Sequence, residues 1–175
     1  MKIACLGGGP AGLYFAISMK LRDAAHEITV FERNKPDDTF GWGVVLSDEA
    51  LTNLAANDAN SAATIRSHFA YWDDIAVVKD GQRVVSSGHG FCGIGRRQLL
   101  VLLQQRAREL GVDIRFETEV ERASDYAKRY DFVVASDGLN SKTRSEFASV
   151  FKPDIDARKC KFVWLGTKQK FDDAF

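Results

Sequence analysis

Apolar and polar positions along the chain switch repeatedly between a strand period and a helix period, and the switches mark its elements. Ile3-Ala4-Cys5-Leu6 is an apolar run that predicts a strand. From Pro10 to Arg22, Leu13, Ala16, Ile17 and Leu21 recur at helical spacing, a stripe that would face a sheet. Ile28-Thr29-Val30-Phe31 predicts a second strand, closed by Glu32 and followed by the polar loop Asn34 to Asp38. Ser47 heads a helix through about Asn57, with Ala50, Leu51 and Leu54 on one side. Ser61 to Ala70 reads as helical on a weaker pattern. Ile75 to Val78 and Arg83 to Val85 flank Asp80-Gly81, the signature of a tight hairpin. Leu99, Leu100, Leu103, Ala107 and Leu110 line a helix that starts at Arg96 and stops at Gly111. Val112, Ile114 and Phe116 then alternate with charged residues, as in a half-buried strand. Phe132-Val133-Val134-Ala135 predicts a strand covered on both faces, and Cys160 to Gly166 a last one.

This order of strand, helix and strand predicts an α/β fold with a parallel sheet. The hairpin interrupts it, as an excursion into a second layer. The last strand has no run after it to pair with, and such an edge invites aggregation, so the chain reads as the front of a longer protein.

Composition narrows the class without naming a chemistry. The chain has 175 residues, enough for one domain or for one and part of another. Lys plus Arg equals Asp plus Glu at 24 each, so no net field draws in nucleic acid or an anionic membrane. No apolar stretch approaches the roughly 20 residues that span a bilayer, and Met1-Lys2 leads straight into a strand with no room for a signal peptide. Three widely spaced cysteines, Cys5, Cys92 and Cys160, argue against a disulfide framework and for a reducing cytoplasm. Cys5 and Cys160 lie in apolar runs and are expected as buried thiols. His89-Gly90-Phe91-Cys92 has the spacing of half a metal site, but no second pair completes it, so no metal is expected.

The first strand runs into Gly7-Gly8-Gly9-Pro10-Ala11-Gly12, a G-x-G-x-x-G turn, and Glu32 closes the next strand twenty residues past Gly12. Each position has a mechanical reason. Gly7 allows the turn out of the strand, Gly9 lets the backbone approach a pyrophosphate, and Gly12 lets the helix sit close. Pro10 loses nothing at a first helical position. The free N–H groups there, with the helix dipole adding about 0.3–1 kcal/mol per charge, face the phosphates. Glu32 can accept hydrogen bonds from a ribose diol and repels a 2′-phosphate by about 4 kcal/mol at roughly 4 Å in a half-wet site. Arg33, pointing to the opposite face, is poorly placed to neutralise it. A Rossmann-like site for FAD or NAD follows.

A second motif, Asp137-Gly138 with Ser141 and Arg144, follows the Phe132–Ala135 run, where a parallel strand meets the ligand crevice. Asn140 or Ser141 can cap a helix, and Arg144 lies two helical turns from Asp137 on nearly the same face. An ordinary strand-to-helix turn would carry the same residues.

Together with Arg96-Arg97-Gln98-Leu99, these motifs resemble the class A flavoprotein aromatic hydroxylases, of the para-hydroxybenzoate-hydroxylase type. Phe40-Gly41-Trp42-Gly43-Val44-Val45, Trp72-Asp73-Asp74-Ile75, Gly88 to Arg96 and Phe162 to Thr167 resemble the branch that hydroxylates salicylyl-CoA and 2-aminobenzoyl-CoA and, more distantly, the tryptophan hydroxylase of violacein synthesis. The resemblance runs from Met1 to Phe175. It implies an FAD-binding domain at 1–70 and 88–155, the hairpin excursion at 71–87, and the first strand of a substrate-binding domain at 156–175. It further implies that Gly7, Gly9, Pro10, Ala11 and Gly12 cradle the FAD pyrophosphate, with Glu32 and Arg33 at the adenosine ribose. Arg96 would reach the flavin phosphates or ribityl chain, Gly43, Val44 and Val45 would line the isoalloxazine, and Asp137 and Gly138 would touch FAD. For Arg96 and Arg97 the bland reading is a solvated helix start; Trp42 and Trp72 are packing residues or substrate platforms; His89 is catalytic or structural. The implied activity is NAD(P)H- and O2-consuming hydroxylation of a small aromatic substrate through a C4a-hydroperoxide of the reduced flavin. The family's third motif, a Gly-Asp pair, has no counterpart within residue 175, so the piece alone is expected to be inactive. Two other readings stand beside this one: a flavin or NAD reductase, and a non-catalytic dinucleotide-binding fragment.

Overall fold

A computed structural model describes residues 1–36, 38–163, 165 and 167. In chain order its elements are β1 (Lys2–Leu6), α1 (Pro10–Arg22), β2 (Glu27–Phe31), β3 (Gly43–Leu46), α2 (Asp48–Asn57), α3 (Ala59–Arg66), β4 (Ala70–Trp72) and β5 (Ile75–Lys79). They continue with β6 (Gln82–Ser86), β7 (Phe91–Gly95), α4 (Arg96–Glu109), β8 (Asp113–Arg115), α5 (Ala123–Ala127), β9 (Phe132–Ala135), α6 (Lys142–Glu146) and α7 (Ala148–Phe151). Two compact units result, one of Met1–Asp38 with Leu100–Lys161, the other of Thr39–Leu99 with the segment from Phe162.

The first unit is the expected α/β layer. Its four parallel strands lie in the order β8-β2-β1-β9, with Cys5 beside Val30 and Val134. Pleating sends Ala4, Leu6 and Phe31 to one face, where Tyr126 and Tyr130 cover them from α5 and the turn after it. Phe15 of α1 stacks on Phe132, the partner of Ile3, so α1 covers the opposite face. Leu13, Ala16 and Ile17 are fully buried there, each of the larger two stabilising by about 1.5–3 kcal/mol. Leu21, expected in the same stripe, is 40% exposed. A 13-residue helix is about 20 Å long and a five-residue strand about 16 Å, so the last turn outruns the sheet.

The hydrophobic pattern overstated the cover of β9. Among the described residues this strand pairs only with β1, at the edge of the sheet, and Phe132 is 48% exposed. An apolar run marks a strand but not its rank in the sheet. Cys160 is exposed rather than buried, and residues 160–163 and 165 are in no strand. A strand needs a hydrogen-bonded neighbour, and none of the described residues supplies one. Trp164 and Gly166 of that expected strand lie outside the described residues.

In the second unit, β3, β7 and β4 form an antiparallel sheet in that order. Ser47 caps α2, its Oγ accepting from Ala50 N at 3.4 Å. The weak helical pattern from Ser61 becomes α3, but it starts earlier, at the cap Asp58, and Ala70 already belongs to β4. The hairpin β5–β6 is a separate two-stranded sheet, turning through Asp80 (φ 51°) and Gly81 (φ 76°), the mirror-image turn that suits twisted strands.

Candidate functional site

Three strand ends converge at the carboxyl edge of the first unit's sheet, because β2 and β9 flank β1 in parallel. Gly7 leaves β1 donating to the Phe31 carbonyl (2.9 Å), and Ser136 leaves β9 donating to the Leu6 carbonyl (2.8 Å). The glycine loop is wedged between them. Gly7 has φ 111°, and a Cβ on it would lie 2.3 Å from the Ser136 carbonyl oxygen. On Gly12 it would lie 2.1 Å from the Gly7 carbonyl oxygen, and on Gly8 2.8 Å from Glu32 Cβ. On Gly9 it would meet nothing within 4 Å. The loop is therefore closed on the protein side and open at one glycine.

α1 begins just after that opening. Pro10 occupies the first helical position, and no side chain caps the helix. Ala11 is exposed at the same end and Gly12 is buried. The amino terminus of α1 thus combines a dipole with backbone donors that no side chain occupies.

Glu32 stands beside the loop. Its Oε2 accepts from Gly8 N (2.8 Å) and its Oε1 from Asn34 N (2.8 Å). Each carboxylate oxygen can accept a second bond, so a diol can still donate to it. Arg33 is exposed, and its charge acts on Glu119. Lys142 bridges Glu119 and Glu121 at 2.7 and 2.9 Å.

Asp137 turns its carboxylate back on its own turn. Oδ1 accepts from Ser141 Oγ (2.6 Å), and Oδ2 from Thr143 N and Oγ1 (both 3.0 Å). Burial disfavours its charge, but these bonds outweigh burial and hold its pKa below the usual value. Gly138 beside it is exposed, with φ 79°. Arg144 is not on a shared helical face with Asp137, since α6 starts only at Lys142. Its Nη2 donates to the Leu139 carbonyl at 2.7 Å, and Ser141 is the cap.

The other sequence candidates cluster in the second unit. Gly43, Val44 and Val45 pair with Gly95, Ile94 and Gly93. Arg96 follows, its N–H donating to the Trp42 carbonyl (3.1 Å) and its Nε buried without a hydrogen-bond partner among the described residues. Trp42 is exposed, whereas Trp72 packs on Gly93 and Phe91. His89 stacks on Phe91 and meets Ser86 Oγ at 2.8 Å. Cys92 is buried, and no group of three or more metal-ligating side chains gathers among the described residues. A groove of about 610 Å³ beside Pro36, Gln104 and Arg108 includes no residue of the glycine loop. Sequence reasoning missed Gly8 and Ser136. The one signal for Ser136 is a small hydroxyl residue directly before Asp137-Gly138.

No protein-family model matches the chain. It is 44% identical, over 98% of its length, to a salicyloyl-CoA 5-hydroxylase from Streptomyces. It is 34% identical, over 98%, to the protodeoxyviolaceinate monooxygenase of Chromobacterium violaceum. Over nearly its whole length the chain is thus a homologue of part of each of these two enzymes. It spans 33% and 46% of the lengths of those two relatives. The same fold recurs in a solved 2-methyl-3-hydroxypyridine-5-carboxylic acid oxygenase, at TM-score 0.72 and 24% identity over 83% of this chain and 42% of that one. It recurs in CtdE, solved with FAD and a substrate, at TM-score 0.58 and 21% identity over 70% of this chain and 31% of that one.

Proposed function

We propose that this chain is the FAD-binding part of an NAD(P)H-consuming monooxygenase that hydroxylates an aromatic ring, with an aryl-CoA thioester such as salicylyl-CoA as substrate. The observation that carries the reading is the glycine loop, sterically closed at Gly7, Gly8 and Gly12 and open at Gly9 beside the uncapped start of α1. A pyrophosphate fits that opening, met by backbone N–H groups and the helix dipole. Glu32 holds the adenosine ribose by the lone pairs left on its carboxylate, and Arg33 lies at the rim. Asp137 and Gly138 border the cofactor from the β9 side. By the family resemblance Gly43, Val44, Val45 and Arg96 of the second unit would meet the flavin; among the described residues Arg96 Nε is buried with no hydrogen-bond partner. When bound, the flavin supplies the redox and oxygen chemistry, and the protein positions the ring and excludes water. The thioester part of the reading rests on the salicyloyl-CoA relative. A reducing cytoplasm suits the free thiols Cys5, Cys92 and Cys160, Cys5 being pushed up to about 12 by burial. Among the described residues no helix is long and apolar enough to cross a membrane.

The test is NAD(P)H oxidation by the complete protein with candidate aromatic acyl-CoA esters. We expect stimulation with formation of hydroxylated product. No stimulation by any aryl-CoA, nor by tryptophan derivatives, removes the substrate assignment; oxidation without hydroxylated product favours a reductase.

A further inference from the structure

Resting on the dinucleotide reading above, we propose that Ser136 is a positioning residue: its hydroxyl sets the glycine loop from beneath and so aims the start of α1 at the phosphates. Its Oγ lies 3.0 Å from the Gly7 carbonyl and 3.1 Å from the Leu6 carbonyl, one proton shared between two acceptors. Its own N–H donates to Leu6 at 2.8 Å. The same Oγ sits 2.5 Å from where a Gly12 Cβ would be, and the Ser136 carbonyl 2.3 Å from where a Gly7 Cβ would be. One residue thus touches both ends of the loop, at the exit from β1 and at the first turn of α1.

The neighbouring Asp137 secures this residue. Its carboxylate accepts from Ser141 and Thr143, which fixes the backbone turn just after Ser136. The second motif therefore serves the glycine loop by bracing it, in addition to any contact with cofactor. A hydroxyl suits the position because it fills the space that Gly12 leaves and donates to a carbonyl turned under the loop. Alanine would leave the two carbonyls without that donor, and valine would intrude on Gly12.

The experiment uses the complete protein, freed of bound flavin, and ADP alone as probe. ADP affinity is measured calorimetrically for wild type and Ser136→Ala, alongside thermal unfolding of the ligand-free proteins. Backbone amide spectra follow Gly7, Gly8, Gly9 and Gly12. The proposal expects roughly three- to tenfold weaker ADP binding, the worth of one hydrogen bond, at a temperature where both proteins are folded. It also expects amide shifts confined to the loop. Unchanged affinity with a lowered melting temperature makes Ser136 merely structural and overturns the proposal. Should Ser136→Ala not fold, Ser136→Cys keeps a weak donor of similar size; its ADP affinity must then fall between wild type and no binding, and wild-type affinity overturns the proposal. Wild-type protein that does not bind ADP overturns the dinucleotide reading itself, and with it this inference.

Discussion

The glycine loop of the first unit and the β5–β6 hairpin of the second are both tight turns read directly from glycine-containing motifs, yet they are held in different ways. Around the loop, Glu32, Ser136 and the Gly7 carbonyl leave no room for a Cβ on Gly7, Gly8 or Gly12. In the hairpin, a Cβ on Gly81 would meet nothing within 4 Å, and only the local angles of Asp80 and Gly81 define the turn. Its paired Val77 and Val84 are 62% and 68% exposed, and on the opposite face Val78 is 68% exposed. The loop is specified in part by residues 24 and 129 positions away, the hairpin by its own sequence. Tolerance to substitution should follow that division.

The largest effect is expected at the most crowded glycine. Gly12→Val should cost about 3 kcal/mol or more by overpacking against the Gly7 carbonyl and Ser136, seen as a lower denaturation midpoint in urea. Next, Glu32→Gln sets an amide N–H against a backbone N–H at Gly8 or Asn34, which should cost about 1–3 kcal/mol. It should also weaken ADP binding in a titration. A variant with wild-type stability and affinity would remove Glu32 from the loop's support.

A smaller effect, with a pH signature, is expected at Asp137. Its pKa is lowered in the folded protein, so the ionised carboxylate stabilises at pH values above its unfolded pKa, and that contribution is lost as pH falls through the folded value. Asp137→Asn should therefore cost about 1 kcal/mol at neutral pH, allowing for solvent screening. The gap to wild type should close below about pH 4, in unfolding curves collected across that range. A gap that does not vary with pH would mean that charge has no part in closing the turn. Smallest of all, Val84→Thr in the hairpin should stay within about 0.5 kcal/mol. A loss as large as that at Gly12 would break the contrast between the two turns.

Much of the fold is legible in the sequence. The stripe at Leu13, Ala16 and Ile17, the strand of Ile28–Phe31, the cap at Ser47 and the turn at Asp80-Gly81 all carry a signature within a few residues of sequence, where pattern and propensity are informative. What was misread depends on neighbours far along the chain. Phe132 and Cys160 were expected inside; one lies on an edge strand and the other is exposed. Burial is set by what packs against a run, and a run does not name its partners.

The candidate site divides along the same line. The residue types of the loop, the acid after β2 and the Asp137-Gly138 turn belong to the sequence, because each answers a local requirement: a sharp exit from a strand, a helix start without side-chain bulk, a cap. That Glu32 binds Gly8 and that Ser136 underlies Gly7 and Gly12 were decided only by the pairing of β1 with β2 and β9. Parallel pairing brings three strand ends to one edge across 129 residues of chain, and hydrogen bonds formed there depend on distances that no local pattern encodes.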